Sequence, residues 1–436
     1  MTDCVYNPQT CTGCGACAAR CPQRAIRMEI GEEGFVRPVI DADKCVGCGL
    51  CARICPAEHP VCENAEKPEC LAAAAADELR RDSSSGAVFP LLAERVLQEG
   101  GTVFGAARDE DGTVRHIGVD DLDGLRKLKS SKYVQSETGN CYRQAEELLK
   151  AGREVLFSGT PCQIAGLNAF LGRKYDNLLT VDVVCHGVPS PLAFRRYAEE
   201  LTEEGKEKVL AVNFRDKVRG WYPYFLTVKT EENVYSSDCR ENEFMRAFLA
   251  NLCLRKSCAA CPFARFPRQG DLTLGDFWGI GRHAPDLDDN LGTSLVLINT
   301  ERGRRRMAEL TPRLKFRRSL PLARAIEGNP SLVRPPVPHP QRDYFFARLE
   351  RLPFKQNVSH CFNNRYDCGI LNFWFGSNYG AMLTCYALQE SVKRLGLKPK
   401  VINYVPANVN FAGSLAETFA GKYLDLTELC TYAEEL

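Results

Sequence analysis

Apolar and polar positions alternate across residues 25–40, on either side of Gly31-Glu32-Glu33-Gly34, and this predicts a β-hairpin near the amino terminus. Residues 63–86 are polar and alanine-rich; residues 71–81 read as a helix and Ser83-Ser84-Ser85-Gly86 as a linker. Helical and strand patterns then alternate, as in an α/β or α+β domain. Residues 88–98 and 141–150 have helical spacing, while 102–107, 154–157, 180–184, 211–214, 225–229, 272–275 and 294–299 read as strands. The run Pro335-Pro336-Val337-Pro338-His339-Pro340 cannot continue a helix or a central strand and reads as a connector. Beyond it, residues 343–352 are expected to close the domain as a helix. A strand over 369–375, a turn over 376–380, a helix over 381–395 and a strand over 400–404 then make one βαβ unit.

A 44% hydrophobic fraction, 25% charged residues and 436 residues allow sizeable cores in two to four domains. The formal net charge is +1, and no basic stripe interleaved with aromatics runs along the chain, so nucleic acid is not expected as a partner. The densest basic run, Arg302 to Arg306, reads as the solvated face of a helix rather than an anion site. The start lacks the basic and apolar regions of a signal peptide, and no apolar run approaches the ~20 residues of a membrane span. A soluble, cytoplasmic protein is expected.

Cysteine changes this picture. The chain has 22 cysteines, 11 of them in the first 70 residues, and in an unexported protein that points to metal-binding thiolates rather than disulfides. Eight fall into two matching groups, Cys11, Cys14, Cys17 and Cys21-Pro22, then Cys45, Cys48, Cys51 and Cys55-Pro56. Both read C-x2-C-x2-C-x3-C-P. Three thiolates at this spacing wrap one tight turn and meet three iron corners of a 4Fe-4S cube; the fourth cysteine of each run crosses to the other cube. One cluster is therefore assigned to Cys11, Cys14, Cys17 and Cys55, and the other to Cys45, Cys48, Cys51 and Cys21. Structural zinc sites pair C-x2-C with C-x2-C and leave the third cysteine and the Cys-Pro ending without a role.

A further group, Cys253, Cys258 and Cys261-Pro262, offers three thiolates far from the first eight. Its fourth ligand would come from Cys162, Cys185 or Cys239, and spacing alone leaves a cluster, a zinc site and free thiols open. Ser158-Gly159-Thr160-Pro161 is a strand-end turn of small residues able to meet a phosphate or a flavin edge; a plain strand–helix turn is the alternative. Lys132 is a candidate for flavin phosphates or a solvated lysine, and His186 a candidate proton donor or a hydrogen-bonded structural histidine.

Residues 86–350 resemble the coenzyme F-420 hydrogenase/dehydrogenase beta-subunit family. The resemblance is carried by Ser130-Ser131-Lys132-Tyr133-Val134-Gln135-Ser136 and Phe157-Ser158-Gly159-Thr160-Pro161-Cys162-Gln163. It is carried also by Val184-Cys185-His186-Gly187-Val188-Pro189 and by Cys258 and Cys261 running into Gly275-Asp276-Phe277-Trp278-Gly279. It implies an iron–sulfur flavoprotein in which FAD or FMN exchanges a hydride with a substrate or carrier while clusters pass single electrons. Lys132, Ser158, Gly159, Thr160 and Gln163 would bind the flavin, with His186 and Cys162 as catalytic candidates. The third group becomes a third 4Fe-4S cluster held by Cys253, Cys258 and Cys261, with Cys185 as the preferred fourth ligand and Cys162 as its alternative. Use of a deazaflavin does not follow from these motifs, and no G-x-G-x-x-G fingerprint for NAD opens a helix after a strand.

Residues 366–436 resemble the start of the polysaccharide pyruvyl transferase family, through residues 369–381, Leu388 and Val401-Ile402-Asn403-Tyr404. Only the first unit of such a domain is expected here, with the remainder absent or carried by another polypeptide, and no transferase activity from this piece alone. The expected fold class is α+β: a two-cluster ferredoxin-like module over 1–62, a linker over 63–86, a mixed α/β flavin and iron–sulfur domain over 87–350, and a partial Rossmann-like βαβ unit over 351–436. The expected function is an oxidoreductase joined to a redox partner protein or a small-molecule acceptor. The alternative is an electron-transfer subunit without substrate chemistry of its own, docked on a catalytic partner, in surface-polysaccharide biosynthesis.

Overall fold

Strands Ile26–Ile30 and Val36–Ile40 pair antiparallel, with Ile26 opposite Ile40 and Ile30 opposite Val36, and so form the expected hairpin. The computed structural model describes residues 7–109, 111–203, 205–363, 368–370 and 379–401. The two cysteine runs flank the hairpin and fold alike. Gly13 and Gly15 take φ of 70° and 80°, and Gly47 and Gly49 take 66° and 67°. That left-handed backbone is open to glycine and costly for residues with a Cβ, so the repeated sequence imposes a repeated loop. Each loop runs into a short helix, Ala16–Arg20 or Leu50–Arg53.

The rest of the first unit is built on an eight-stranded mixed sheet. Strands Thr102–Arg108, Val155–Gly159, Leu178–Val183 and Leu272–Asp276 run parallel as its centre. Val114–Val119 closes one edge antiparallel. On the other side follow Ser294–Ile298, Glu69–Ala75 and Leu314–Ser319, each antiparallel to its neighbour. The core is apolar residues of these strands under the helix Val88–Gln98, including Leu71, Leu91, Leu156, Val181 and Val296. A separate three-stranded sheet of Val209–Asp216, Phe225–Thr230 and Val234–Asp238 lies outside it.

One expectation fails here. Residues 71–75 are not helical and not a linker: they belong to the strand Glu69–Ala75, between Ser294–Ile298 and Leu314–Ser319, with Ala72 to Ala75 fully buried. Alanine favours helix by intrinsic propensity, but its small side chain also lets layers approach closely on both faces of a buried strand, and tertiary packing overrides the propensity. Only Asp77–Arg81 is helical. Arg80 is fully buried beneath the Ser83–Gly86 turn and donates to the Gly292 carbonyl and to Asp289.

The ferredoxin-like stretch is stapled to the sheet domain by side chains that reach its backbone. Gln135 Oε1 accepts the Val36 N–H at 2.9 Å, and Thr138 Oγ1 donates to the Cys14 carbonyl at 3.0 Å. Arg143 donates to the Ala19 carbonyl through Nε and Nη2 at 2.9 and 2.7 Å. Residues 1–338 accordingly form one compact unit and 339–436 a second. The Arg302–Arg306 run sits on the helix Glu301–Leu310 and is engaged by acids and carbonyls, Arg306 by Glu99 and Glu309, Arg302 by the Tyr175 carbonyl.

In the second unit the helices Arg342–Arg348 and Phe354–Phe362 pack together, with Phe345 and Phe354 edge to face at 5.8 Å. The helix expected to close the preceding domain therefore opens this unit instead, because its apolar face is met by the helix that follows it. Strands Cys368–Ile370 and Pro399–Val401 pair parallel, and the helix Tyr379–Arg394 lies between them in sequence, a βαβ unit. Residues 371–378 and 402–404 of the expected strands and turn lie outside the described residues.

Candidate functional site

The thiols gather in three groups, recognisable from which of them act on one another. Burial pushes the Cys14 thiol well above its ordinary value, and Cys162, Cys17 and Cys11 add to the effect. Cys17 is pushed up to about 12 by burial, then by Cys11, Cys55 and Cys51. Cys55 is raised by burial and by Cys11. Cys11, Cys14, Cys17 and Cys55 thus share one place. Cys51 is raised by burial, with Cys21 and Cys45 adding, which gathers the second group. Its remaining member, Cys48, is exposed, whereas the equivalent Cys14 is buried against the sheet domain. Cys55 thus lies beside Cys11 and Cys17, and Cys21 beside Cys51.

The third group brings Cys162 and Cys185 together with Cys258 and Cys261. Burial raises Cys185 well above the ordinary thiol range, and Cys258, Cys162 and Cys261 raise it further. Cys258 is pushed up to about 12 by burial, with Cys162 and Cys261 adding, and Cys162 to about 11 by burial and then Cys261. Four thiols from three segments converge: Cys162 opens the helix Pro161–Leu171 after the strand Val155–Gly159, Cys185 follows Leu178–Val183, Cys258 lies in the 3-10 turn Lys256–Ala260 and Cys261 directly follows it. Cys253 is fully buried, and its carbonyl accepts the Ser190 N–H. Spacing could not show this, because Cys162 and Cys185 arrive from the carboxyl ends of two neighbouring parallel strands. Cys239 lies elsewhere, beside Asp238 and the Tyr224 carbonyl.

Among the described residues no three His, Cys, Asp or Glu side chains converge tightly enough to hold one metal ion. A cubane, which meets one thiolate at each of four separate iron corners, asks for the wider spread. Backbone amides also point at sulfur: Val188 N donates to Cys258 Sγ at 3.5 Å and Ala25 N to Cys21 Sγ at 3.3 Å.

Beside the third group opens a cavity of about 510 Å³ at the carboxyl ends of the parallel strands, where ligands of open α/β sheets bind. Its walls include Ser83–Ser85, Lys132, Ser158–Thr160, Cys185, His186 and Trp278, and Thr12 and Gly13 of the first cysteine loop reach it as well. The serine turn lies just ahead of the helix Val88–Gln98, whose amino end favours anions. Among the described residues His186 Nε2, in the lining, is buried without a hydrogen-bond partner, as a site that receives a polar ligand would leave it, whereas Arg215 is held by Asp276 at 3.0 Å and by the Tyr224 ring at 4.0 Å.

Several expected cofactor residues line this cavity with part of their hydrogen bonding already committed. Ser158 Oγ donates to the Phe104 carbonyl at 3.0 Å. Gln163 caps its own helix, Pro161–Leu171, accepting the Thr160 N–H at 3.0 Å, and donates to the Ser136 carbonyl at 3.0 Å. Lys132 Nζ donates to the Lys127 and Lys129 carbonyls at 2.9 and 2.7 Å, and burial pulls its pKa down to about 7. His186 stands edge-on to Phe248 at 5.3 Å, and burial lowers its pKa. His116, not singled out from the sequence, is locked between Ser136 Oγ at 2.8 Å and the Ser158 carbonyl at 3.0 Å, and burial holds it at about 4, neutral. Only the fold places His116 here, since it sits mid-strand with no local signature.

Comparison with known proteins agrees in part with the resemblance. Residues 152–317 match the family model for the C terminus of the coenzyme F-420 hydrogenase/dehydrogenase beta subunit. Residues 10–59 match that of the 4Fe-4S dicluster domain. Among solved structures the chain is similar to one from a xenon-derivatised F-420-reducing NiFe hydrogenase complex of Methanosarcina barkeri. The identity is 16% and the TM-score 0.40, over 69% of this chain and 93% of that one. No curated protein matches, and among the described residues no helix is long and apolar enough to cross a membrane. Two stretches of the chain are thus similar to known families, residues 10–59 to the 4Fe-4S dicluster domain and residues 152–317 to the C terminus of the coenzyme F-420 hydrogenase/dehydrogenase beta subunit.

Proposed function

We propose that the chain is an iron–sulfur flavoprotein oxidoreductase that moves electrons between its surface and a flavin cavity. The observation that carries this reading is the row of thiol groups. Cys48 of the Cys21, Cys45, Cys48 and Cys51 group is exposed. The Cys11, Cys14, Cys17 and Cys55 group lies next, linked to it through Cys17 and Cys51. Cys14 in turn feels Cys162 of the innermost group, and Cys162 and Cys185 line the cavity. Each group has four thiolates for one cubane, and together they lead from solvent to the cavity. Clusters bound there carry single electrons, and a flavin trades them for a hydride.

The chain's own residues then have separable tasks. The Ser83–Ser85 turn and the amino end of Val88–Gln98 would hold the flavin phosphate. Lys132, poised near neutrality, would supply a positive charge or a proton inside the cavity. His186, with Nε2 buried and without a partner among the described residues, would hydrogen-bond the ligand's polar edge. His116 does not face a ligand with either nitrogen free; it fixes the Ser136 and Ser158 walls against each other. The second unit supplies none of these residues, and its likeness to the start of a pyruvyl transferase would set the redox module in surface-glycan assembly.

Oxygen-free reconstitution with iron, sulfide and either FAD or FMN, followed by desalting, tests the reading. Retained flavin that is bleached by a one-electron viologen donor supports it. Protein that keeps its clusters but releases all flavin would be an electron-transfer subunit instead.

A further inference from the structure

Arg255 occupies the seam between the Cys11 group and the Cys162 group, and it is 6% exposed. Its guanidinium reaches into the first cysteine loop. Nε donates to the Cys11 carbonyl at 2.8 Å, Nη1 to the Val36 carbonyl at 3.0 Å, and Nη2 points at Cys11 Sγ at 3.7 Å. The Phe35 ring lies 5.4 Å from its centre, and a Cβ on Gly13 would come within 2.9 Å of Nη1. On its other side the backbone is part of the innermost site: Arg255 N donates to the Val188 carbonyl at 3.0 Å, and its own carbonyl accepts the Cys258 N–H at 3.0 Å.

No carboxylate stands among these partners. A buried guanidinium held only by carbonyls, a sulfur and a ring is costly unless negative charge lies nearby. Two four-thiolate cubanes, each net negative, would supply it from both sides. We propose that Arg255 is a shared electrostatic positioning residue that raises the reduction potentials of the two inner clusters together and holds their ligand loops in register. The proposal rests on the cluster assignment above. A cation beside a cluster favours the reduced, more negative state, so its removal makes both clusters harder to reduce. The outer cluster, held by Cys21, Cys45, Cys48 and Cys51, serves as an internal reference.

The test compares the full-length wild type with R255Q and R255K, each reconstituted without oxygen and assayed for iron and by EPR-monitored redox titration. In R255Q the reduced-to-oxidised ratio of both inner clusters at the wild-type midpoint should fall about tenfold, about 59 mV for one electron, with the outer cluster shifted less. R255K, which keeps the charge but not the fork, should regain most of that loss. If R255Q loads less iron while R255K loads the full complement, dependence on the charge is again supported. Unchanged potentials in R255Q, a shift of one inner cluster alone, or equal losses in R255Q and R255K overturn the proposal. A wild type that never builds the innermost cluster overturns the cluster assignment instead, and the two failures are distinguishable by its iron content.

Discussion

Gly166 lies in the helix Pro161–Leu171 where that helix meets the first cysteine loop. A Cβ there would sit 2.8 Å from Tyr142 Oη and 3.1 Å from both Cβ and Sγ of Cys14. Neither neighbour has room to yield: Tyr142 is fully buried with its hydroxyl donating to the Gln163 carbonyl at 2.9 Å, and Cys14 is itself buried. For an unhindered helical site, Gly166→Ala would stabilise by about 1 kcal/mol. Against this, overpacking costs about 1–3 kcal/mol and a strained Tyr142 hydrogen bond about 1 kcal/mol. The net expectation is a loss of about 1–3 kcal/mol, with Cys14 displaced from its cluster by a few tenths of an ångström. Urea denaturation of the apo protein measures the first effect, and iron per chain with the EPR line shape of the Cys11-group cluster the second. A G166A protein about 1 kcal/mol more stable, with unchanged iron and spectrum, would refute the close approach of Cys14 to this helix.

Three further outcomes follow from the packing and charges. Lys132 has a folded value of about 7 against an ordinary 10.5, so between these values the unfolded chain binds the extra proton and stability rises with pH. The stability difference between wild-type and K132M apo protein should move in favour of the wild type as pH rises from 7 to 9 in urea titrations, and a pH-independent difference would exclude the depressed amine. Gly34, at φ 81° with a Cβ placed 2.3 Å from Leu192 Cβ, should not tolerate alanine, and G34A should loosen the hairpin so that limited proteolysis cuts near residues 31–34 sooner. Asp182, fully buried, accepts N–H groups from Gln269 and Gly270 and pairs with Arg268 at 3.5 Å; D182A should cost about 3–5 kcal/mol in chemical denaturation, a near-neutral result being contrary.

The sequence disclosed chemistry best where ligands are consecutive. Two copies of one cysteine spacing, each with glycines at the same places, pointed to the stretch that matches the 4Fe-4S dicluster domain, and the glycines take the same left-handed backbone in both copies. The helices 88–98 and 141–150 were legible to the residue from apolar spacing. What stayed hidden was assembled by the sheet. Cys162 comes beside Cys185 because neighbouring parallel strands, not neighbouring residues, bring the two together. His116 needed the strand Val114–Val119 to reach Ser136 and Ser158. The alanine run 72–75 misled for a related reason: propensity favours helix there, and only the closely packed sheet explains the strand.

Iron per chain in the wild type, C162A and C253A after oxygen-free reconstitution measures the central claim most directly. Three cubanes in a row with Cys162 as a ligand predict about 12, about 8 and about 12 irons, the C162A protein losing the EPR signal of the innermost cluster alone. About 8 irons in the wild type, or loss of a cluster from C253A with none from C162A, would contradict it.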